Sequence, residues 1–304
     1  MQDLVSIVIP TKNRATTLEK AIKSVLTQTY SPIEICVIID GPDQETRQML
    51  DKYLGRGICI HIHETKGVGG STARNIGVQV ADGKWIAFLD DDDEFMPEKL
   101  EKQLSLLDHN YEARHLSFSS VLTYEAGCPT QTFILPDFSW QSNKYTIGEY
   151  LFSRKGRKTM GFIQTSTLLI PRELLLEIPF TNGLKKHQDW DLMLRMEQAG
   201  VEIKQLESPE TIYHQQVSTR KRIGQQNIWQ FSEQWAQKMN LSINARDSFM
   251  LSIVIRGIAM DKTLSRRTRQ REIMIRVRKI SWNRKNMVSY FYMIAINLVR
   301  VYLK

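Results

Sequence analysis

An α/β fold built on a mostly parallel central sheet is what this sequence predicts, and three observations predict it. Over the first hundred residues, short runs rich in Val and Ile alternate with stretches of helical periodicity. The apolar runs are continuous rather than alternating, as strands covered on both faces require. The last quarter of the chain turns helical, basic and Trp-containing, which makes it an extension rather than part of the sheet.

Leu4–Ile9 is the first strand, closed by Pro10, and Leu18, Ile22, Val25 and Leu26 then mark one helical face with Thr16 or Thr17 as its N-cap. Ile33–Ile39 is a second buried strand, stopped by Asp40-Gly41-Pro42. A helix over Gln44–Leu54, a strand over Ile58–His63 and a helix over Ser71–Ala81 follow. Lys84–Leu89 is the fourth strand and runs directly into Asp90-Asp91-Asp92-Asp93, after which Pro97 opens a helix over Glu98–Leu107. Right-handed crossovers carry the carboxyl ends of these strands to one edge, where open α/β sheets bind ligands. Beyond this half, the pattern gives strands at Leu116–Tyr124, Gln131–Leu135 and Phe162–Ile170, and helices at Ile147–Ser153 and Gln188–Gln198. Val201–Leu206 follows in extended form. These elements divide the chain into a domain over 1–225, with halves 1–105 and 106–225, and a helical region over 226–304.

The chain's 304 residues carry a net charge of +8, which suggests nucleic acid until the charge is located. Residues 231–304 hold 15 Lys or Arg against 4 Asp or Glu, so the first 230 residues are mildly acidic. The basicity belongs to the tail, and no nucleic-acid role is expected. Cys36, Cys59 and Cys128 are odd in number and lack CxxC spacing. Cys36 and Cys59 sit in apolar runs and are expected buried and reduced, which suits a cytoplasmic protein. The run Leu4–Pro10 is too short for the h-region of a signal peptide.

Four consecutive Asp at the end of an apolar strand repel one another, so stability explains them poorly. A solvated turn with helix-capping duty is the plain alternative. The chemical reading is a site for a hard divalent cation, Mn²⁺ or Mg²⁺, that neutralises a diphosphate. Asp40, at the carboxyl end of a buried strand, is either a turn residue or an acceptor for a nucleotide base. Gly67-Val68-Gly69-Gly70 precedes a helix with Arg74 in its first turn, a start that lets backbone approach a phosphate. Asp189 opens another helix, where it either complements the dipole or acts as a base. His214, ending Thr211-Ile212-Tyr213, is structural or a metal or diphosphate contact. Arg220, Lys221 and Arg222 form a solvated face or a loop that closes over the diphosphate.

The segments VSIVIPTKNR (5–14), IID (38–40), GGSTARNIG (69–77), ADGKWIAFLDDDD (81–93) and HQDWDLMLRM (187–196) together resemble a family 2 glycosyltransferase of the GT-A, Rossmann-like nucleotide-diphospho-sugar transferase fold, over roughly residues 4–215. The resemblance implies an inverting hexosyl- or N-acetylhexosaminyl-transferase of the bacterial surface-polysaccharide type. Its donor would be a UDP- or other nucleotide-sugar, and its acceptor a saccharide or lipid-linked saccharide. Carried over by motif, Thr11 and Asp40 would contact the nucleoside, and Asp90 and Asp91 the ribose and diphosphate side of a DxD-type motif. Asp92 would bind the metal, with His214 near it, and Asp189 would deprotonate the acceptor. Gln188 stands where the family usually has Glu. The alternatives are a nucleotidyltransferase that makes sugar-nucleotides, whose glycine-rich loop after the first strand PTKNR lacks, and a non-enzymatic binder of anionic polymers.

Residues 287–303 form an apolar, aromatic run of about 25 Å as a helix, marginal for a ~30 Å hydrocarbon core. The basic residues upstream (Arg266, Arg267, Arg269, Arg271, Arg276, Arg278, Lys279, Arg284 and Lys285) fit a monotopic contact with anionic lipid, on the cytoplasmic face of the inner membrane. A core-packing terminal helix or an oligomer interface is the other reading.

Overall fold

The computed structural model describes residues 2–55, 57–125, 128–155, 158–214, 227–281 and 287–303. Arg220–Arg222, Arg284 and Lys285 lie outside these. The chain divides into two compact units, one of residues 1–139 with 163–217 and one of residues 140–162 with 218–304.

In the first unit β1 (Val5–Thr11), α1 (Ala15–Leu26), β2 (Ile33–Asp40), α2 (Gln44–Asp51), β3 (Cys59–Thr65), α3 (Gly70–Val80) and β4 (Trp85–Phe88) alternate as expected. Their strands pair in parallel in the order β3-β2-β1-β4. Ile7, Ile9, Ile35, Val37, Ile39 and Ala87 are fully buried, which is why these strands read as unbroken apolar runs. Pro10 does not close β1, which continues to Thr11. Neither Thr16 nor Thr17 caps α1. Arg14 holds the N-cap position without a side-chain cap bond, and the Thr17 hydroxyl donates back to the Arg14 carbonyl at 3.2 Å.

Past the acidic run come β5 (Glu94–Phe95), α4 (Lys99–Leu106), β6 (His115–Glu125) and β7 (Cys128–Leu135). The second unit then contributes α5 (Ile147–Phe152), β8 (Arg154–Lys155) and β9 (Lys158–Thr159). Back in the first unit follow β10 (Leu168–Pro171), α6 (Arg172–Glu177), α7 (Gln188–Gln198) and β11 (Glu202–Tyr213). These strands extend the sheet as β4-β10-β6-β11-β5 with β7 beside β6. β10 is antiparallel to both neighbours, and β11 is parallel to β6 but antiparallel to β5. The expected strand over 162–170 is instead a short 3₁₀ turn, Thr165–Thr167, ahead of β10.

The second unit completes with α8 (Trp229–Lys238), α9 (Ile243–Phe249), a π-helical stretch Met250–Ile255, α10 (Arg256–Met260), α11 (Arg266–Val277) and α12 (Met287–Leu303). Segment 140–162, expected within the first domain, belongs with these helices. The Phe152 ring meets Phe249 edge-on at 4.9 Å, and Trp235 lies 5.4 Å from Phe249. α12 buries Tyr290, Met293 and Val301 on one side, and Asn297 donates to the Leu251 carbonyl at 3.1 Å. Phe291 and Val299, 57% and 51% exposed, face outward. Among the described residues no helix is long and apolar enough to cross a membrane.

Candidate active site

The acidic run sits at the carboxyl end of β4, and each of its four side chains has a different set of partners. Asp90 accepts from Arg74 and from Gln164 at 2.9 Å. Asp91 accepts from the Thr11 hydroxyl at the end of β1 and from Arg14, both at 2.8 Å. The same Arg14 nitrogen reaches Asp92 at 3.1 Å. Asp93, wholly buried, accepts from Gln164 at 2.8 Å, from Ser166 at 2.9 Å and from the His214 backbone at 3.3 Å. The 3₁₀ turn in place of a strand is what aims Gln164 and Ser166 at these carboxylates.

Crowding and burial shift these acids. Burial, reinforced by Asp92, pushes Asp91 up to about 6 against the opposing pull of Arg14 and Thr11. Asp93 is raised well above the usual carboxylate range, by burial first and then by Asp90 and Asp92. A corner that strains to keep its negative charge gains from a bound cation.

Asp189 lies in the first turn of α7 and accepts the Trp190 N–H at 2.9 Å. Part of the side chain reaches solvent, yet its surroundings are dense enough that desolvation lifts it to about 6, with Asp90 adding to the rise and Arg74 opposing it. Arg74 connects the two regions, donating to Asp90 and, at 2.8 Å, to the side-chain oxygen of Gln188. Asp191 instead accepts from Thr181 at 2.7 Å and Arg195 at 2.9 Å, a structural role.

His214 places its Nε2 2.7 Å from Glu94. With Asp92, Asp93, Glu94, Thr17 and Lys20 it lines one shallow recess, so the two sequence-predicted metal ligands share a cleft. Asp40 stands apart. Its carboxylate accepts from Thr65 at 2.8 Å and from the Val68 and Gly69 N–H groups at 2.6 and 3.0 Å, so it shapes the glycine turn before α3. Gly69 adopts φ +84° there, a conformation that favours glycine. Among the described residues no hydrogen bond joins Asp40 to the acidic run. Arg14, Gln164 and Ser166 were not singled out from sequence. Arg14 sits inside the motif already noted, whereas nothing local marks the other two.

A parallel β/α half ending in clustered carboxylates, followed by a mixed sheet that returns polar side chains to them, is the GT-A fold. The family model described as Glycosyl transferase family 2 matches residues 6–174, and the chain belongs to that family. It is 29% identical over 255 residues to the amylovoran biosynthesis glycosyltransferase AmsB of Erwinia amylovora, covering 80% of each chain. It is 28% identical over 195 residues to glycosyltransferase GlyG of Streptococcus pneumoniae serotype 4, covering 60% of this chain and 62% of that one. S. aureus TarS 1-349, solved in complex with UDP-GlcNAc, has a similar fold, with a TM-score of 0.63 at 14% identity over 98% of this chain and 89% of that one.

Proposed function

We propose that this glycosyltransferase moves a hexosyl or N-acetylhexosaminyl group, with inversion, from a nucleotide-diphosphate donor to a saccharide or lipid-linked saccharide of a surface polysaccharide. The observation that carries this is the Arg74 bridge. It ties the acidic run that would face a diphosphate to the helix start that presents Asp189. The likeness to AmsB supports the polysaccharide class, and the UDP-GlcNAc held by TarS supports the donor class.

The donor set of the recess suits Mn²⁺ or Mg²⁺, since it offers carboxylate oxygens and one imidazole. Asp92 and His214 would hold the ion, and when bound it would supply positive charge to a leaving diphosphate. Thr11 and Arg14 hold Asp91, which with Asp90 would serve the ribose and diphosphate side of the donor. Asp189 is tuned to the working range of a base: with its pKa near 6, it is mostly ionised at neutral pH yet still accepts a proton readily. It would take the proton of the acceptor hydroxyl as that oxygen attacks the anomeric carbon from the face opposite the diphosphate. No covalent intermediate is needed.

The second unit would meet an anionic membrane surface. Arg266, Arg267, Arg271, Arg278 and Lys279 are exposed around Met274 and Ile275, and α12 shows Phe291 and Val299. Two residues of the basic run do not take part. Arg269 is buried on the Ala259 carbonyl, and Arg276 pairs with Glu233 and Glu272.

A thermal-shift screen of nucleotide-sugars with Mn²⁺, run on the wild type and Asp92→Ala, tests the reading. One donor should raise the wild-type melting temperature only with metal present, and Asp92→Ala should stay folded and lose that rise. Equal shifts in both proteins would remove the metal assignment.

A further inference from the structure

The end of the sheet opposite the acidic corner carries a second cluster of ligating side chains. β2 and β3 pair in register, with Glu34 beside Cys59 and Cys36 beside His61, so Glu34, Cys59 and His61 share one face of the edge strand pair. Their donor atoms all lie within 4.8 Å of one another. His61 Nε2 is 3.1 Å from Cys59 Sγ and 3.1 Å from Glu34 Oε2. Asp40 closes the same β2 strand roughly 20 Å away, at ~3.3 Å per residue.

Cys59 contradicts the expectation of a buried thiol, because β3 is an edge strand whose sulfur is exposed; Cys36 is buried, and burial raises its thiol to about 12. Glu34 is the reverse case, a carboxylate only 3% exposed. Its two oxygens have separate tasks. Oε1 accepts from the Ser6 hydroxyl and from the Asp82 and Gly83 N–H groups, at 2.8 and 3.3 Å for the last two. Oε2 faces His61. The turn is built closely around this carboxylate, since a Cβ at Gly83 would meet the Ser6 hydroxyl at 2.4 Å and the Leu4 carbonyl at 2.8 Å. One oxygen is therefore anchored by outer partners while the other is presented with an imidazole and a thiol, the arrangement that pre-orients a metal ligand.

We propose that Glu34, Cys59 and His61 form a zinc site that straps β3 to β2. Tetrahedral Zn²⁺ with bonds of about 2.0–2.3 Å needs donor atoms roughly 3.3–3.7 Å apart, which small side-chain rotations supply here. The thiol, imidazole and carboxylate together select a borderline-soft ion, whereas the oxygen-rich acidic corner selects Mn²⁺ or Mg²⁺. The cysteine loses its proton on binding, and solvent fills the fourth position. Bound metal would link the exposed β3 edge to the buried β2, and it takes no part in sugar transfer.

Co²⁺ titration of the 304-residue chain, followed by competition with Zn²⁺, tests the site. The wild type should show a thiolate-to-cobalt charge-transfer band that Zn²⁺ erases, and Asp92→Ala should retain the band. Cys59→Ser should lose the band, and His61→Ala should weaken Zn²⁺ binding at least ~100-fold, beyond what an outer partner's loss costs. Both positions reach solvent, so circular dichroism should confirm that these variants fold. Absence of the band in the wild type overturns the proposal. So does its survival in Cys59→Ser.

Discussion

Arg74 donates to the Gln188 side-chain oxygen across 2.8 Å, joining the N-terminal part of α3 to the first turn of α7. The bond links two helix starts that are 114 positions apart in sequence, and the residue beside Gln188 is Asp189. Arg74 is largely buried, and its other terminal nitrogen is spent on Asp90.

Arg74→Lys should therefore keep a positive charge yet lose the two-ended grip, because an ammonium lacks the planar fork. Turnover should fall at least ~10-fold, since small displacements of a positioned base cost up to ~100-fold. Steady-state kinetics should show the loss mainly in kcat. An unchanged kcat would mean that Asp189 is oriented without Arg74.

Asp189→Asn should bind donor normally and lose about 10²–10⁴ in turnover, the usual worth of a general base. In the wild type the base works deprotonated, so kcat/KM should drop about tenfold per pH unit below pH about 6, where Asp189 titrates. Near-normal rates in the variant would place the base elsewhere.

The same substitution makes a separate stability prediction. The Asp189 carboxyl moves from 3.8 to about 6 on folding, so between those values the folded chain binds more protons than the unfolded one. Stability contributed by the protonated form is present below pH 3.8 and is lost as pH rises through about 6. Asp189→Asn removes that loss. Its melting temperature should exceed the wild type's by about 2–4 °C at pH 7.5, the shift that ~1 kcal/mol gives a domain of this size, with no gain at pH 3.5. Denaturation scans at the two pH values decide it; a lower melting temperature at pH 7.5 would contradict the desolvation argument.

Deleting residues 287–304 would be a poor test of membrane contact, because Tyr290, Met293 and Val301 belong to the core of the second unit. Phe291→Ser with Val299→Ser leaves that core intact. Sedimentation with phosphatidylglycerol vesicles should show at least ~10-fold weaker partitioning for this double variant, as loss of one large apolar side chain costs ~1.5–3 kcal/mol. Binding by the wild type should also weaken with salt. Equal sedimentation of the two proteins would assign the outward face of α12 to another partner.

The parallel half was legible because β1, β2 and β4 are buried on both faces and carry little but Val, Ile and their like. β5 was not, being two residues long and paired with Thr211 and Ile212, more than a hundred positions away. Residues 162–170 misled for a physical reason. Phe162, Ile163, Leu168, Leu169 and Ile170 carry the apolar signal of a strand, but Gln164 and Ser166 must turn toward Asp90 and Asp93. The carboxylates themselves stand out in the sequence as four consecutive Asp at the end of an apolar strand. The neutral amide and hydroxyl that hold them carry no local mark.

β11 reaches its partners through two register shifts, between Leu206 and Pro209 and between Pro209 and Thr211. Those irregularities set which residue of β11 arrives opposite β5, and so deliver His214 to Asp93 and Glu94. A single inserted residue after Leu206 would carry a neighbour's side chain into that seat. The length of this one strand thus acts as a ruler for the acidic corner, and chains that lengthen or shorten it must find another residue to finish the recess.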